Sequence, residues 1–254
     1  MNQLKIFKMK KLLMLLAIVF TTSMFAQKQV SMHMYVKVLS EHQEEFERLE
    51  IDYWSKVAKK EIDAGRMTGW GLMKSIGIDK AASEANYLIV NTFKNADQAF
   101  SGNQKWDTNF LNLTAKDIST EGLREITSTR WYQNEESING DKTNFTIFNY
   151  GRPTDISAFV SENKSLWKGI HLANQKLTKL NSWGVHTRIH PQGNASKASI
   201  FTRDGFENLV DAMNYLSFKE ANPYQKMTAK SKMNSIMPDG FGYTIIRRTL
   251  HWVN

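Results

Sequence analysis

Two tryptophans sixteen residues apart, Trp54 and Trp70, recur as Trp167 and Trp183, and the offset of 113 between the pairs extends to their surroundings. Phe46 falls on Phe159, Tyr53 on Leu166, Val57 on Ile170 and Gly71 on Gly184, so GWGL (69–72) overlies SWGV (182–185). LTAK (113–116) faces MTAK (227–230) with the offset changed by one residue, and Arg130-Trp131 resembles His251-Trp252. Tryptophan is scarce, so matched spacings of this kind mark a duplicated unit, and the chain has to fold as two like halves.

Each half alternates between strand and helix periodicity. VSMHMYVKV (30–38) puts Met32, Met34, Val36 and Val38 on one face and His33, Tyr35 and Lys37 on the other, the pattern of a half-buried strand. SEHQ (40–43) has the spacing of a capping box, and Phe46, Leu49, Tyr53 and Val57 then recur at helical spacing as far as Gly65. TGWGLMKSI (68–76) and NYLIVNTF (86–93) predict a hairpin, NADQ (95–98) opens a second helix, and REITSTRWY (124–132) closes the unit as a strand. The second half gives TNFTIFNY (143–150), a helix over about 155–180, then SWGVHTRIH (182–190) and KASIFT (197–202). A helix opening at Asp204 with Glu207 and a last strand, YTIIRRTLHW (243–252), complete it. QNEESINGDK (133–142) is polar, carries Asn-Gly and reads as the linker, which makes the expected units 27–132 and 143–254.

Residues 1–26 read as a signal peptide: a basic start, the apolar run LLMLLAIVF, and small residues before a cut ahead of Gln27. The run is too short for a permanent span, which takes ~20 residues, and no cysteine follows Ala26 to carry a lipid anchor. The expected destination is the periplasm or the exterior. Removing these residues takes four lysines and no acids, so the net charge falls from +8 to +4 and nothing suggests a nucleic-acid face. With no cysteine in the chain, disulfides, thiolate nucleophiles and thiolate metal sites are excluded.

The order β-α-β-β-α-β, written twice around Trp54/Trp70 and Trp167/Trp183, resembles a tandem member of the dimeric α/β-barrel superfamily, covering residues 28 to 254. The resemblance implies an α+β fold: two tandem ferredoxin-like repeats whose antiparallel sheets pack face to face as an α/β barrel, a pseudo-dimer within one chain that leaves further homo-oligomerisation open. The superfamily includes stress-responsive A/B barrel proteins, antibiotic-biosynthesis-type monooxygenases and the haem-binding chlorite dismutase and dye-decolorising peroxidase families. It implies a ligand site between sheet and helices or in the lumen. Monooxygenase members use Asn, Trp and His near the pocket, for which Trp70, Trp183 and His33 are the nearest residues by type, without a matching motif. Fold likeness does not assign function.

HTRIH (186–190), which the first copy lacks, is the part of the opening strand pair most open to chemistry. Histidines four apart on a strand are ~13 Å from one another, too far to share an ion bound at ~2.1 Å, so no metal site is expected. The strand does place Gly184, His186, Arg188 and His190 on one face, where the first copy has Gly71, Met73, Ser75 and Gly77, opposite Trp183, Val185, Thr187 and Ile189 on the other. His186 and Arg188, with His33 and Tyr35 from the first strand and His251 from the last, are the candidate ligand-binding residues for a small polar or anionic molecule. Arg247 shares a face with His251, and Arg248 with Trp252. His171, on the second-half helix, is the one candidate for a haem axial ligand; no other cofactor is expected. No phosphate loop, dinucleotide fingerprint, HExxH or nucleophile elbow is present. The leading expectation is an exported small-molecule-binding protein rather than an enzyme. The alternatives are a cofactor-independent monooxygenase-like enzyme, a haem enzyme, or a partner-binding domain with a filled core.

Overall fold

The computed structural model describes residues 28–77, 85–140, 142–193, 198–217 and 228–254. The expected export segment (1–26), Lys197 of KASIFT and Met227 of MTAK lie outside the described residues. The strands are β1 (Val30–Val38), β2 (Gly69–Ser75), β3 (Tyr87–Phe93) and β4 (Arg124–Ile138), followed by β5 (Phe145–Gly151), β6 (Ser182–His190), β7 (Ile200–Phe206) and β8 (Phe241–Val253). They close into a barrel in the order β1-β3-β2-β8-β5-β7-β6-β4, with antiparallel neighbours throughout. Cut at the two seams between repeats, the circle becomes two sheets of ferredoxin-like order, β4-β1-β3-β2 and β8-β5-β7-β6. The expected α+β tandem barrel is therefore the fold. Its seams are β2 on β8 and β4 on β6, so neither sheet keeps an open edge.

Alternation along the strands creates three apolar layers. Outward faces of the first sheet, including Val36, Val38, Trp70, Leu72, Tyr87 and Ile89, pack with Phe46 and Ala58 of the covering helices. The second sheet does the same with Ile147, Trp183, Val185, Ile200 and Phe206 against Phe159 and Ala212. Inward faces form a separate aromatic-rich cluster, among them Tyr35, Tyr132, Phe148, Tyr150 and Phe201.

The long helix of each repeat widens into a π-helical turn at an equivalent place. In the first, α1 (Gln43–Leu49) and α2 (Ser55–Asp63) flank a π turn at Glu50–Trp54; the second has its π turn at Asn163–Trp167, before Lys168–Thr178. The 113-residue offset is kept, and both turns open on a buried polar residue, Glu50 or Asn163. Asn163 satisfies itself by donating from Nδ2 to the Phe159 carbonyl at 2.8 Å. Glu50 accepts from Thr120 Oγ1 at 3.2 Å, and burial raises its pKa to about 7 against the opposing pull of Arg124.

Several local expectations are corrected. The stretch 133–142 is not a linker from its start: residues 133–138 prolong β4, because Gln133 to Ile138 pair with Thr187 to Trp183 of β6 and close the barrel. Asp204 does not open a helix; it lies in β7, held in register by Ile147 and Trp183, and the helix starts at Leu209. SEHQ enters its helix through a 3-10 turn, Ser40–His42, with no side-chain cap from the N-cap residue. The helix after Asn95 is only Ala96–Phe100, capped by the Asn95 side chain. The first strands are related by an offset of 115, not 113. Gly71 and His33 both pair with Val90, while Gly184 and Phe148 both pair with Arg203, so His33 corresponds to Phe148 and Tyr35 to Tyr150.

Candidate functional site: the barrel lumen

His33, Tyr35, His186 and Arg188 are brought together inside the barrel. His186 stacks on Phe201 with centroids 4.3 Å apart, and His33 lies 5.2 Å from the same ring and 4.9 Å from Tyr132. Tyr35 and Tyr150, equivalent residues of the two repeats, meet there: the Tyr35 hydroxyl donates to Tyr150 at 3.0 Å and lies 3.4 Å from the Tyr132 hydroxyl. Arg247 Nη1 donates to the Tyr150 hydroxyl at 3.3 Å and its guanidinium lies 5.2 Å from the Phe148 ring centroid. Arg130 stands 4.7 Å over the Tyr35 ring. Arg203, beside Gly184, completes the set from β7.

Burial dominates the electrostatics. It pushes the pKa of His33 down to about 3 and that of His186 well below the usual imidazole value, with neighbouring arginines adding to both shifts. Both rings are therefore neutral near pH 7. Burial raises the Tyr35 phenol well above its ordinary range, reinforced by Tyr150 and Tyr132 and opposed by Arg247. It also lowers Arg188 and Arg203, without bringing guanidinium groups near neutrality.

The lumen has more polar atoms than partners among the described residues. His33 is 3%, Arg247 2%, Arg188 7% and His186 8% exposed, so all four are cut off from bulk water. Yet among the described residues His33 Nδ1, both nitrogens of His186, Arg188 Nη2 and Arg247 Nε have no hydrogen-bond partner. Among the described residues none of Arg130, Arg188, Arg203 and Arg247 forms an ion pair. Asp204, adjacent to Arg203, faces the other way and accepts from Asn149 Nδ2 at 2.7 Å on the helix side. Burial raises its pKa to about 7.

His251 does not join the site. An extra residue in β8, opposite the step from Leu72 to Met73, flips the alternation, so Arg247 faces inward while His251 faces outward, 6.3 Å from Trp70. Trp252 takes the inward side instead and lies over Gly71, where a Cβ would collide with its ring. His171 is also outside the lumen, packed between helix and sheet at 4.9 Å from Trp183 and 6.0 Å from Trp167. Burial lowers its pKa to about 4. With indoles packed against the ring in a buried aromatic cluster, the residues around His171 do not fit a macrocycle. Among the described residues no cluster of His, Asp or Glu could hold a metal ion, and no helix is long and apolar enough to cross a membrane.

Arg203, Tyr132, Arg130 and Tyr150 were not among the expected ligand residues. Asp204 and Glu207 imitate a helix start and hid the inward alternation Phe201-Arg203-Gly205. That alternation, with Ile200, Thr202, Asp204 and Phe206 on the other face, was the available signal.

No protein-family model and no curated protein sequence matches the chain. Solved structures do. A candidate monooxygenase from Fusobacterium nucleatum superposes with a TM-score of 0.55 at 12% identity, over 91% of this chain and 96% of that one. A second candidate monooxygenase, from Lactobacillus acidophilus, gives 0.50 at 10% identity over 88% and 94%. A mutant chlorite dismutase from Candidatus Nitrospira defluvii gives 0.51 at 9% identity over 88% and 91%. At such identities the likeness is one of fold. The chain therefore has the fold of the dimeric α/β barrels, with both halves carried on one polypeptide.

Proposed function

We propose that the lumen binds a small organic anion. The observation that carries this is the set of four inward-facing arginines that form no ion pair among the described residues, Asp204 acting on Arg203 only from the far side of its strand. Arg188 and Arg247 are almost wholly buried and hold unbonded N–H groups. A buried charge without a counter-charge costs several kcal/mol, and an anion held by two or more guanidinium groups offsets that cost with charge-assisted hydrogen bonds. The Tyr35, Phe148 and Phe201 rings supply flat apolar walls beside it. Titration with benzoate at constant ionic strength tests the proposal. The thermal midpoint should rise saturably, and Arg188→Gln or Arg247→Gln should weaken binding by roughly 10-fold or more. A midpoint indifferent to benzoate, or an equal rise in both variants, would sink it.

A second reading, a cofactor-independent oxygenase, rests on His33. Its Nδ1 is unbonded and it faces the tyrosine cluster, which places a proton acceptor beside a phenolic ligand. Burial and the nearby arginines keep that ring a weak base until an anion offsets them. It requires oxygen uptake with 1,4-naphthohydroquinone above the autoxidation rate, lost in His33→Gln; equal uptake in parent and variant excludes it. We also propose that the protein acts after export, on the strength of residues 1–26. Protein from the cell exterior or periplasm should then begin near Gln27, whereas an intact Met1 in the cytosol would refute this.

A further inference from the structure

The two hairpins β2–β3 and β6–β7 are equivalent in the duplication and stand directly across the barrel from one another in the strand order. Their inward faces have diverged in opposite directions. On β2 and β3 the lumen meets Gly71, Met73, Leu88 and Val90; at the same register, β6 and β7 present Gly184, His186, Phe201 and Arg203. Two residues further along, Ser75 corresponds to Arg188, since each donates its backbone N–H to the equivalent strand, at Asn86 and Ser199. Thus Met stands where the other hairpin has His, Val where it has Arg and Ser where it has Arg, in a lumen that an unmodified duplication would have left symmetric. Met73, Leu88 and Val90 are all buried in the lumen cluster, whereas His186 and Arg188 are buried with unbonded nitrogens.

Resting on the anion reading above, we infer that the ligand is an amphiphile with one acidic head and a rigid apolar body, bound across the barrel in a single orientation. The head lies against Arg188, Arg203 and His186, and the body lies against Met73, Leu88 and Val90. A simple anion would need only the β6–β7 side, and a doubly charged one would place its second charge against Met73, Leu88 and Val90, a wall whose one side-chain donor is the Ser75 hydroxyl, which is unfavourable. The tyrosine pair Tyr35 and Tyr150 sits between the two walls, with ring faces for the body and hydroxyls towards Arg247.

Calorimetry on the full chain with three probes tests this: 1-naphthalenesulfonate as head plus body, methanesulfonate as head alone, and 1-naphthol as body alone. Naphthalenesulfonate should bind one per chain, at least about tenfold more tightly than either other probe. Arg203→Gln should weaken both sulfonates. Val90→Arg, which makes the two walls alike, should weaken naphthalenesulfonate and leave methanesulfonate unchanged or tighter. Should Val90→Arg fail to fold, Val90→Thr makes the same test with nearly unchanged volume and a smaller, several-fold loss confined to naphthalenesulfonate. Equal affinity for the two sulfonates, with no effect of either Val90 change, overturns the amphiphile and leaves the anion reading standing. Failure of both sulfonates to bind overturns both.

Discussion

His33 keeps Nε2 within 3.2 Å of the Ser31 hydroxyl and leaves Nδ1 unbonded, so its neutrality follows from burial rather than from a charge partner. Its folded pKa of about 3 lies below the unfolded value, so its contribution to stability is present above pH 6.5 and is lost as pH falls towards 3. Asp204 has the opposite sign. With an ordinary value of 3.8 and a folded pKa of about 7, it costs nothing at pH 3, and its penalty grows as pH rises from 3.8 to about 7 and is complete above that. Asp204→Asn keeps an acceptor for Asn149 and should be more stable than the parent by about 1–3 kcal/mol at pH 8. The gain should vanish near pH 4, as read by urea unfolding at both values; an equal gain at both would show that the carboxyl is not protonated on burial. Tyr35→Phe removes the hydroxyl that donates to Tyr150 and should cost ~1 kcal/mol in the same measurement. At this scale the sequence did single out His33, Tyr35, His186 and Arg188. It could not separate Arg247 from His251, because the extra residue in β8 that sends them to opposite faces leaves no mark in the alternation.

Each repeated element carries a local solution that depends on its neighbour. Gly71 is glycine because the Trp252 ring of the opposite repeat's last strand occupies the space of a Cβ. Gly71→Ala should therefore destabilise the fold by about 1–3 kcal/mol, and Trp252→Ala should recover much of that loss in a double-mutant cycle. Additive losses would show that the two do not compete for the same space. The matching glycine, Gly184, meets Arg203 and His186 instead, so the same residue serves an indole in one seam and a guanidinium in the other sheet. The π turns at Glu50–Trp54 and Asn163–Trp167 show a feature conserved through the duplication while its buried polar group changed from acid to amide. Helix periodicity located both helices, but a one-residue widening lies below what spacing in the sequence resolves.

Over the whole molecule, closure depends on both repeats, because β2 ends its sheet on β8 and β4 ends its sheet on β6. A fragment ending at Gly140 would expose both edges and the inward face of its sheet. It should self-associate or precipitate rather than sediment as a folded monomer, and a monomeric, cooperatively unfolding fragment in the ultracentrifuge would contradict the barrel. The duplication, strand and helix periods and tandem architecture were determined by the sequence, because repeated tryptophans and alternating apolar residues are local marks of what each segment must bury. Which side of each strand faces the lumen, how far β4 and β7 run, and which arginines meet were decided only by the tertiary structure. Bulges, pairing register and barrel closure set those directions, and they depend on residues from tens to well over a hundred positions apart in the chain.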